Sequence, residues 1–560
     1  MSACRINTFL ATFTFIAFFM INLNVDAVGP QSNRNRDRRT EDHFGKRENL
    51  RRTRGKTAFR LPIQIQRFRT IDGTLNNYVG INWGAAGMNL RRRITPAYAD
   101  GESVPAGVNR RSARAISNLV CGQTESIPND RQLSSMVWQW GQFLDHDISI
   151  TETADPLEPF PIPVPITDTY FDPLSGGGQT ISLFRSQYRR NRPPYEAREQ
   201  INEITSWIDG SNIYGSDDAT SKSLRKLKNG LMKTSPGNLL PLDESGFFLA
   251  GDVRVNEQVC LTAMHTIFVR EHNRIALRFK QLYPQLTDEQ TFVRARQRVT
   301  GIIQSITYNE FLPALMGENA LRPYRGYNPL VFPNISNTFS TAAYRFGHSM
   351  LDTEVWRLNN DGSVHESGHL GLRDAFFNPA NLTQHGVDPY LKGLTLQQAQ
   401  EIDTKIVDDV RNFLFGGPGS GGFDLAALNI QRGRDHGLAD FNTIREFYRL
   451  PAYKSFAEIT SDLRVQFALS QAYDSVDNID AWVGMLAEEH SPGASIGETL
   501  MAVFKQQFEA LRDGDRFWYE RDFKGSDREV IRNTTLAHII SRNTGVGNMK
   551  PNVFLVPPIE

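Results

Sequence analysis

The segment Trp140-Gly141-Gln142-Phe143-Leu144-Asp145-His146-Asp147-Ile148 sets a histidine between two aspartates inside an otherwise apolar stretch. Met136, Val137, Trp138, Trp140, Phe143 and Leu144 predict a largely buried helix. A buried carboxylate costs several kcal/mol unless something pairs with it. At about 100° per residue, Gln142, Asp145 and His146 share one face, while Asp147 points about 200° away from Asp145. The helix therefore offers an amide, a carboxylate and an imidazole to one site and a lone carboxylate to another. A solvated helix with incidental charges would need polar neighbours, and the segment has none.

Four other segments complete the pattern. Asp252 to Tyr283 reads as one long helix, with Asp252 as N-cap and Pro284 closing it. Arg254 and Glu257, at i and i+3, share a face of that helix. His348 follows Phe346-Gly347 in the run Thr338 to Leu351, whose small and apolar residues predict a second buried helix. Asn429 lies in Leu425 to Gln431, just before Arg432-Gly433-Arg434-Asp435-His436-Gly437. The stretch Thr205-Ser206-Trp207-Ile208-Asp209-Gly210-Ser211 alternates oxygen-bearing side chains at 205, 209 and 211, with only the backbone at 207. Taken singly, each has an ordinary explanation: a core histidine, a helical ion pair, a turn rich in Asp, Gly and Ser.

Together, and in this order, the segments resemble the animal-type haem peroxidases of the peroxidase–cyclooxygenase superfamily. The resemblance runs from about Phe59 to Leu555. It is carried by Phe68-Arg69-Thr70-Ile71-Asp72-Gly73-Thr74, Tyr98-Ala99-Asp100-Gly101, Gly251-Asp252-Val253-Arg254, Met264-His265-Thr266, Arg270-Glu271-His272-Asn273-Arg274 and Gln431-Arg432-Gly433-Arg434-Asp435-His436-Gly437. It implies a mainly α fold: a single large helical domain of the animal, myeloperoxidase-like type with little β structure. It also implies site residues. His146 is expected as distal acid–base, Arg254 as distal arginine and Gln142 as distal glutamine. His348 is expected as the proximal iron ligand, with Asn429 accepting its other ring N–H and Arg345 among the cofactor-binding residues. Asp145 and Glu257 are expected to become ester-linked to a haem b derivative. Asp147, Thr205, Trp207 through its carbonyl, Asp209 and Ser211 are expected to hold one calcium ion. Gln258 stands where some members carry a methionine that bonds haem as a sulfonium. Without that link, a weaker oxidant and poor chloride oxidation are expected.

These assignments agree with elementary chemistry. A haem iron takes a neutral histidine, and a hydrogen bond to its other nitrogen raises its basicity. Breaking an O–O bond needs a proton relay near neutral pH and a fixed positive charge, which suit histidine and arginine. Calcium takes six to eight hard oxygen ligands, and Asp147 with residues 205–211 supplies such oxygens. A competing motif, His365-Glu366-Ser367-Gly368-His369, matches the zinc-protease pattern H-E-x-x-H. That chemistry needs a helix, whereas Asn359-Asn360-Asp361-Gly362-Ser363, Gly368 and Gly371 predict a loop.

Length and composition narrow the remainder. At 560 residues the chain could hold several domains, but motifs from Gln142 to Asn429 converge on one site and argue for one large domain, residues 58–560. A formal net charge of zero gives no electrostatic case for nucleic-acid binding. Arg5, the apolar run from Phe9 to Ile21 and Val25-Asp26-Ala27 read as a secretory signal over residues 1–27, with an uncleaved anchor as the alternative. Residues 28–57 are strongly basic and almost free of apolar side chains, so disorder is expected there. That segment is a propeptide, an arm for anionic surfaces or a solvated linker. Beyond the signal only Cys121 and Cys260 remain; Leu75 and Ser541 stand where many relatives have cysteine. This low cysteine content resembles the bacterial, peroxicin-type branch, and Cys260 is expected to be a buried small apolar residue.

The expected activity is that of an exported haem peroxidase reducing hydrogen peroxide. Its donors would be iodide, bromide or thiocyanate in two-electron steps, or phenols in one-electron steps. Two rivals share the resemblance. A catalytically minor adhesion protein is disfavoured because Arg512-Asp513-Gly514-Asp515-Arg516 contains no Arg-Gly-Asp or Lys-Gly-Asp. A fatty-acid dioxygenase would need a radical-forming tyrosine near the proximal histidine, for which Tyr344 is the candidate.

Overall fold

Buried apolar faces on successive helices assemble into one continuous core running from Leu90 to Phe554. The computed structural model describes residues 67–557 except 192, 194 and 419. The expected signal at 1–27 and basic segment at 28–57 lie outside the described residues. Everything described belongs to one compact unit, Gln64–Glu560. It is mainly helical, as expected, and its strands form three antiparallel pairs of two residues each. These are Met88–Asn89 with Ile201–Asn202, Ile162–Pro163 with Thr180–Ile181, and Glu354–Val355 with Leu370–Gly371. No helix among the described residues is long and apolar enough to cross a membrane.

Six helices frame the centre: α1 (Met136–Ile148), α2 (Val259–Leu282), α3 (Asp288–Ile306), α4 (Leu425–Asp435), α5 (Glu498–Asp513) and α6 (Leu536–Asn543). Helix α1 is the predicted buried helix; Trp140, Phe143 and Leu144 are fully buried, and Ser149 in extended conformation ends it. It packs between α2 and the segment carrying His348, while α3 and α6 brace α2 from outside. A capping box starts α3, with Thr287 and Gln290 each bonding the other's backbone N–H.

Two predicted helices are broken. The run from Asp252 is not continuous: Val253–Asn256 forms a 3-10 turn capped by Asp252, and α2 begins only at Val259. Between them Gln258 is extended, and the Glu257–Gln258 backbone bridges to Phe376 and Phe377. Arg254 and Glu257 therefore stand at the entrance of α2 rather than on its face. Similarly, the run 338–351 divides into a helix Asn337–Thr341 and a 3-10 segment Ala343–His348, with a bend at Ala342. Around the bend side chains take backbone and polar partners of their own: Thr341 bonds Asn337 Oδ1 and Arg345 Nε donates to the Ser340 carbonyl.

The zinc-like motif is a loop, as its glycines predict. It lies within the loop closed by the pairing of Glu354–Val355 with Leu370–Gly371, with no helix over residues 359–371. His369 stacks on Trp356 with ring centroids 5.3 Å apart, and its Nδ1 accepts from the Arg357 backbone. Cys121 and Cys260 are both buried and unpaired. Burial pushes their thiols up, that of Cys121 to about 12, so both behave as small core residues.

Candidate active site and cation site

A cavity of about 470 Å³ opens between α1, the Asp252–Gln258 turn, the His348 segment and α4. That volume is within the usual range of cofactor sites. Gln142, Asp145 and His146 line it from α1, the common face that helical spacing predicts. Arg254 and Glu257 line it from the turn before α2. Tyr344, Arg345, Phe346 and His348 face it from the other side, and Leu372, Phe376, Leu414, Leu425 and Leu428 supply apolar wall.

His146 is almost completely buried, and burial, reinforced by the charge of Arg254, pushes its pKa well below the ordinary histidine value. The imidazole is therefore neutral at neutral pH. Its Nδ1 lies 3.7 Å from Asp252 Oδ1 and its Nε2 lies 3.8 Å from Glu257 Oε2. Asp252 is a site residue that sequence reasoning treated only as a helix cap. Its Oδ1 accepts from the backbone N–H of Arg254, and its two oxygens take Nε and Nη2 of the same arginine at 2.9 and 2.8 Å. Burial opposes charge at both groups, but their mutual attraction prevails, drawing Asp252 down to about 2 and raising Arg254 further. Arg254 also donates to the Ser149 carbonyl and lies 3.4 Å from Asp145. Burial lifts the Asp145 carboxyl to about 6 and that of Glu257 to about 7, so both are on the edge of ionisation at neutral pH.

Across the cavity, burial and then the Arg345 charge lower His348 to about 3, leaving it neutral. Asn429, on α4, reaches it with its amide nitrogen rather than its oxygen on the ring. The amide nitrogen stands 2.8 Å from His348 Nδ1, while the amide oxygen accepts from Arg345 Nη1 at 3.1 Å. An imidazole accepting at Nδ1 keeps its proton on Nε2, the nitrogen left for the cavity. To present a lone pair there, the Asn429 amide must rotate so that its oxygen accepts from Nδ1–H, which breaks the bond from Arg345. With that rotation the donor set fits a haem iron: a neutral imidazole on one side and an open polar pocket on the other. Burial lowers Arg345 to about 10, leaving a cation on the cavity wall suited to carboxylate groups of a ligand.

The opposite face of α1 builds the second site. Asp147 Oδ2 accepts from the backbone N–H groups of Asp209 and Gly210, and Ser211 Oγ donates to the Asp147 carbonyl. Thr205 Oγ1 donates to Asp209 Oδ1, and Arg296 from α3 pairs with Asp209 Oδ2 at 3.0 Å. Gly210 has φ 76°, a conformation that glycine adopts without strain. At Gly251 a Cβ would lie 2.2 Å from the Ser211 carbonyl, so only glycine lets the segment leading into Asp252 pass this close. Burial and the adjoining carboxylate push Asp147 well above the usual range, and Asp147 Oδ1 is buried without a hydrogen-bond partner. Two buried carboxylates, an orphaned oxygen and two hydroxyls form a cluster that a hard cation would neutralise, so the residues fit calcium.

A profile of the family described as animal haem peroxidase matches residues 68–554. The chain belongs to the animal haem peroxidase family. The peroxidase is 36% identical to Peroxinectin A of Dictyostelium discoideum over 520 residues, covering 87% of this chain and 96% of that protein. It is 34% identical to mouse myeloperoxidase, covering 87% of this chain and 76% of the relative. It is likewise 34% identical to the mouse peroxidasin homologue, but spans only 38% of that longer protein. The structure of peroxidase A from Dictyostelium discoideum superposes with a TM-score of 0.81 at 35% identity, over 88% of this chain and all of that one. A fatty acid alpha-dioxygenase from Arabidopsis thaliana, 21% identical with a TM-score of 0.76 over 88% of this chain and 84% of its own, shares the fold. Membership makes the protein a peroxidase with haem as cofactor, hydrogen peroxide as oxidant and small molecules as electron donors.

Proposed function

We propose that the protein is an exported haem peroxidase that oxidises iodide, thiocyanate and bromide readily and chloride poorly, with phenols as one-electron donors. The observation that carries this reading is a neutral, buried His146 beside an Arg254 locked by Asp252, on one cavity with His348. Haem, when bound, supplies an iron that exchanges electrons with peroxide and donor. His146 takes the proton of the incoming peroxide at Nε2 and returns it to the departing oxygen, and burial keeps that nitrogen free to accept. Arg254 holds positive charge where negative charge develops and cannot lose it. Gln142 hydrogen-bonds small polar species in the cavity. His348 holds the iron, positioned by Asn429, and Asp145 and Glu257 are the carboxyls that become ester-linked. Asp147, Thr205, Trp207, Asp209 and Ser211 hold calcium, which ties the helix of His146 to the 205–211 turn. Export is supported by the leader-like residues 1–27, and the basic segment 28–57 by its charge as a contact for anionic surfaces.

Both rivals lose ground on specific residues. Asp515, in the Arg-Asp-Gly-Asp-Arg stretch, is 1% exposed and accepts from Asn76 and Arg69, so it is committed to the core. The hydroxyl of Tyr344 is buried with no hydrogen-bond partner, which leaves no base for the proton a tyrosyl radical must release. The deciding test is the absorption spectrum of the haem-loaded protein. A Soret band that changes on peroxide addition and recovers with iodide supports the reading; a band indifferent to peroxide rejects it.

A further inference from the structure

Gln258 joins the start of α2 to two glutamines of α1. Its Oε1 accepts from the Cys260 backbone N–H at 2.6 Å, capping α2, and its Nε2 donates to Oε1 of Gln142 at 2.9 Å and to Oε1 of Gln139. An amide has one acceptor end and one donor end. Because the helix N-terminus occupies the acceptor of Gln258, only donors remain to face α1. Gln142 must then receive at its oxygen and turn its own NH2 away, towards Glu257 on the cavity wall. The reverse orientation would set two NH2 groups against each other in a site where Gln258 is 5% exposed. Polarity thus passes in one direction, from the helix N-terminus through Gln258 and Gln142 to the cavity.

We propose that Gln258 is a positioning residue that, by capping α2, fixes the Gln142 amide with its N–H towards the cavity and so makes the pocket select small anions. The inference rests on the reading of Gln142 as the cavity's hydrogen-bonding amide. A pocket that offers an N–H donor holds thiocyanate or cyanide; one that offers a carbonyl oxygen repels them. Gln258 therefore acts on anion affinity without touching the anion.

The test uses the full-length, haem-loaded protein, titrated at equilibrium with thiocyanate and with cyanide by Soret difference spectra, alongside melting temperature. Gln258→Ser keeps a good N-cap but is too short to reach α1. It should melt with the parent and bind both anions about 5–10-fold more weakly, the scale of one lost hydrogen bond. Gln258→Glu also caps but cannot donate, so it should turn Gln142 over and weaken binding at least as much. In a Gln142→Ala background, Gln258→Ser should change the dissociation constants no further. Parental affinity in both Gln258 variants while Gln142→Ala binds weakly overturns the role of Gln258 and leaves that of Gln142 intact. So do losses that multiply in the double variant, because they place the effect outside Gln142. Parental affinity in Gln142→Ala removes the underlying reading itself.

Discussion

At His146 the protein keeps an imidazole neutral by burying it, and at Arg254 it keeps a guanidinium charged by pairing it with Asp252. His146→Ala should still bind haem but react with peroxide about 10²-fold or more slowly, the scale of a lost acid–base group. Stopped-flow formation of the oxidised enzyme at the parental rate would remove His146 from that role. Asp252 was visible from its sequence only as a cap, because the bidentate hold on Arg254 and the approach to His146 depend on how the 3-10 turn folds back on α1. Asp252→Asn keeps an N-cap but loses the carboxylate fork. The rate with peroxide should fall by about 10-fold or more, the scale of a charged hydrogen bond, while α2 stays folded by circular dichroism. A parental rate would make Asp252 a cap and nothing more. The pairing of Asn429 with His348 was legible, but its amide orientation was not, since it is set by competition with Arg345.

Elements, rather than single residues, carry the proposed cation site. Asp147 sits one turn-face away from the cavity on α1, and Asp209 reaches it from a turn held by Asn212 Nδ2 on the Phe143 carbonyl. Asp147→Ala should lose bound calcium, melt at lower temperature and turn over more slowly together. Chelation should lower the melting temperature of the parent but not of the variant. Equal calcium by metal analysis in the two proteins would count decisively against the site. The π-helical turn Thr307–Phe311 ends α3. Glu310 there is buried, with Oε1 accepting from the Leu536 N–H that starts α6 and Oε2 without a partner. Burial pushes its carboxyl from 4.5 to about 8. Between those values the folded state holds a proton that the unfolded state has released, so stability falls as pH rises. Glu310→Gln should therefore gain in melting temperature over the parent from pH 5 to pH 8; a difference that does not vary with pH refutes this. The breaks at Glu257–Gln258 and Ala342 were hidden because glutamine and alanine are weak boundary signals, and the bridges to Phe376 and Phe377 that hold the first break are distant in sequence.

Across the whole molecule, α1 and the start of α2 bring Asp145 and Glu257 to one cavity, which makes both available for ester links once haem reacts with peroxide. Mass spectrometry after turnover and acid denaturation should find haem attached through residues 145 and 257; haem that extracts freely would refute the links. Efficient hypochlorous acid production at neutral pH would likewise refute the halide range. The order of motifs, the buried His-Asp helix with its two polar faces and the loop at 365–369 were all determined by sequence alone. Each is local: helical periodicity, glycine conformation and carboxylate burial act within a few residues. What only the tertiary structure decided is which groups meet. Asp252 and Glu257 each lie more than a hundred positions from His146 along the chain, yet both come within 4 Å of its imidazole. Gln258 reaches Gln142 across 116 positions, and Asn429 reaches His348 across 81. Such contacts arise when separate helices bury their apolar faces in one core, and no local pattern encodes which polar atoms that packing brings together.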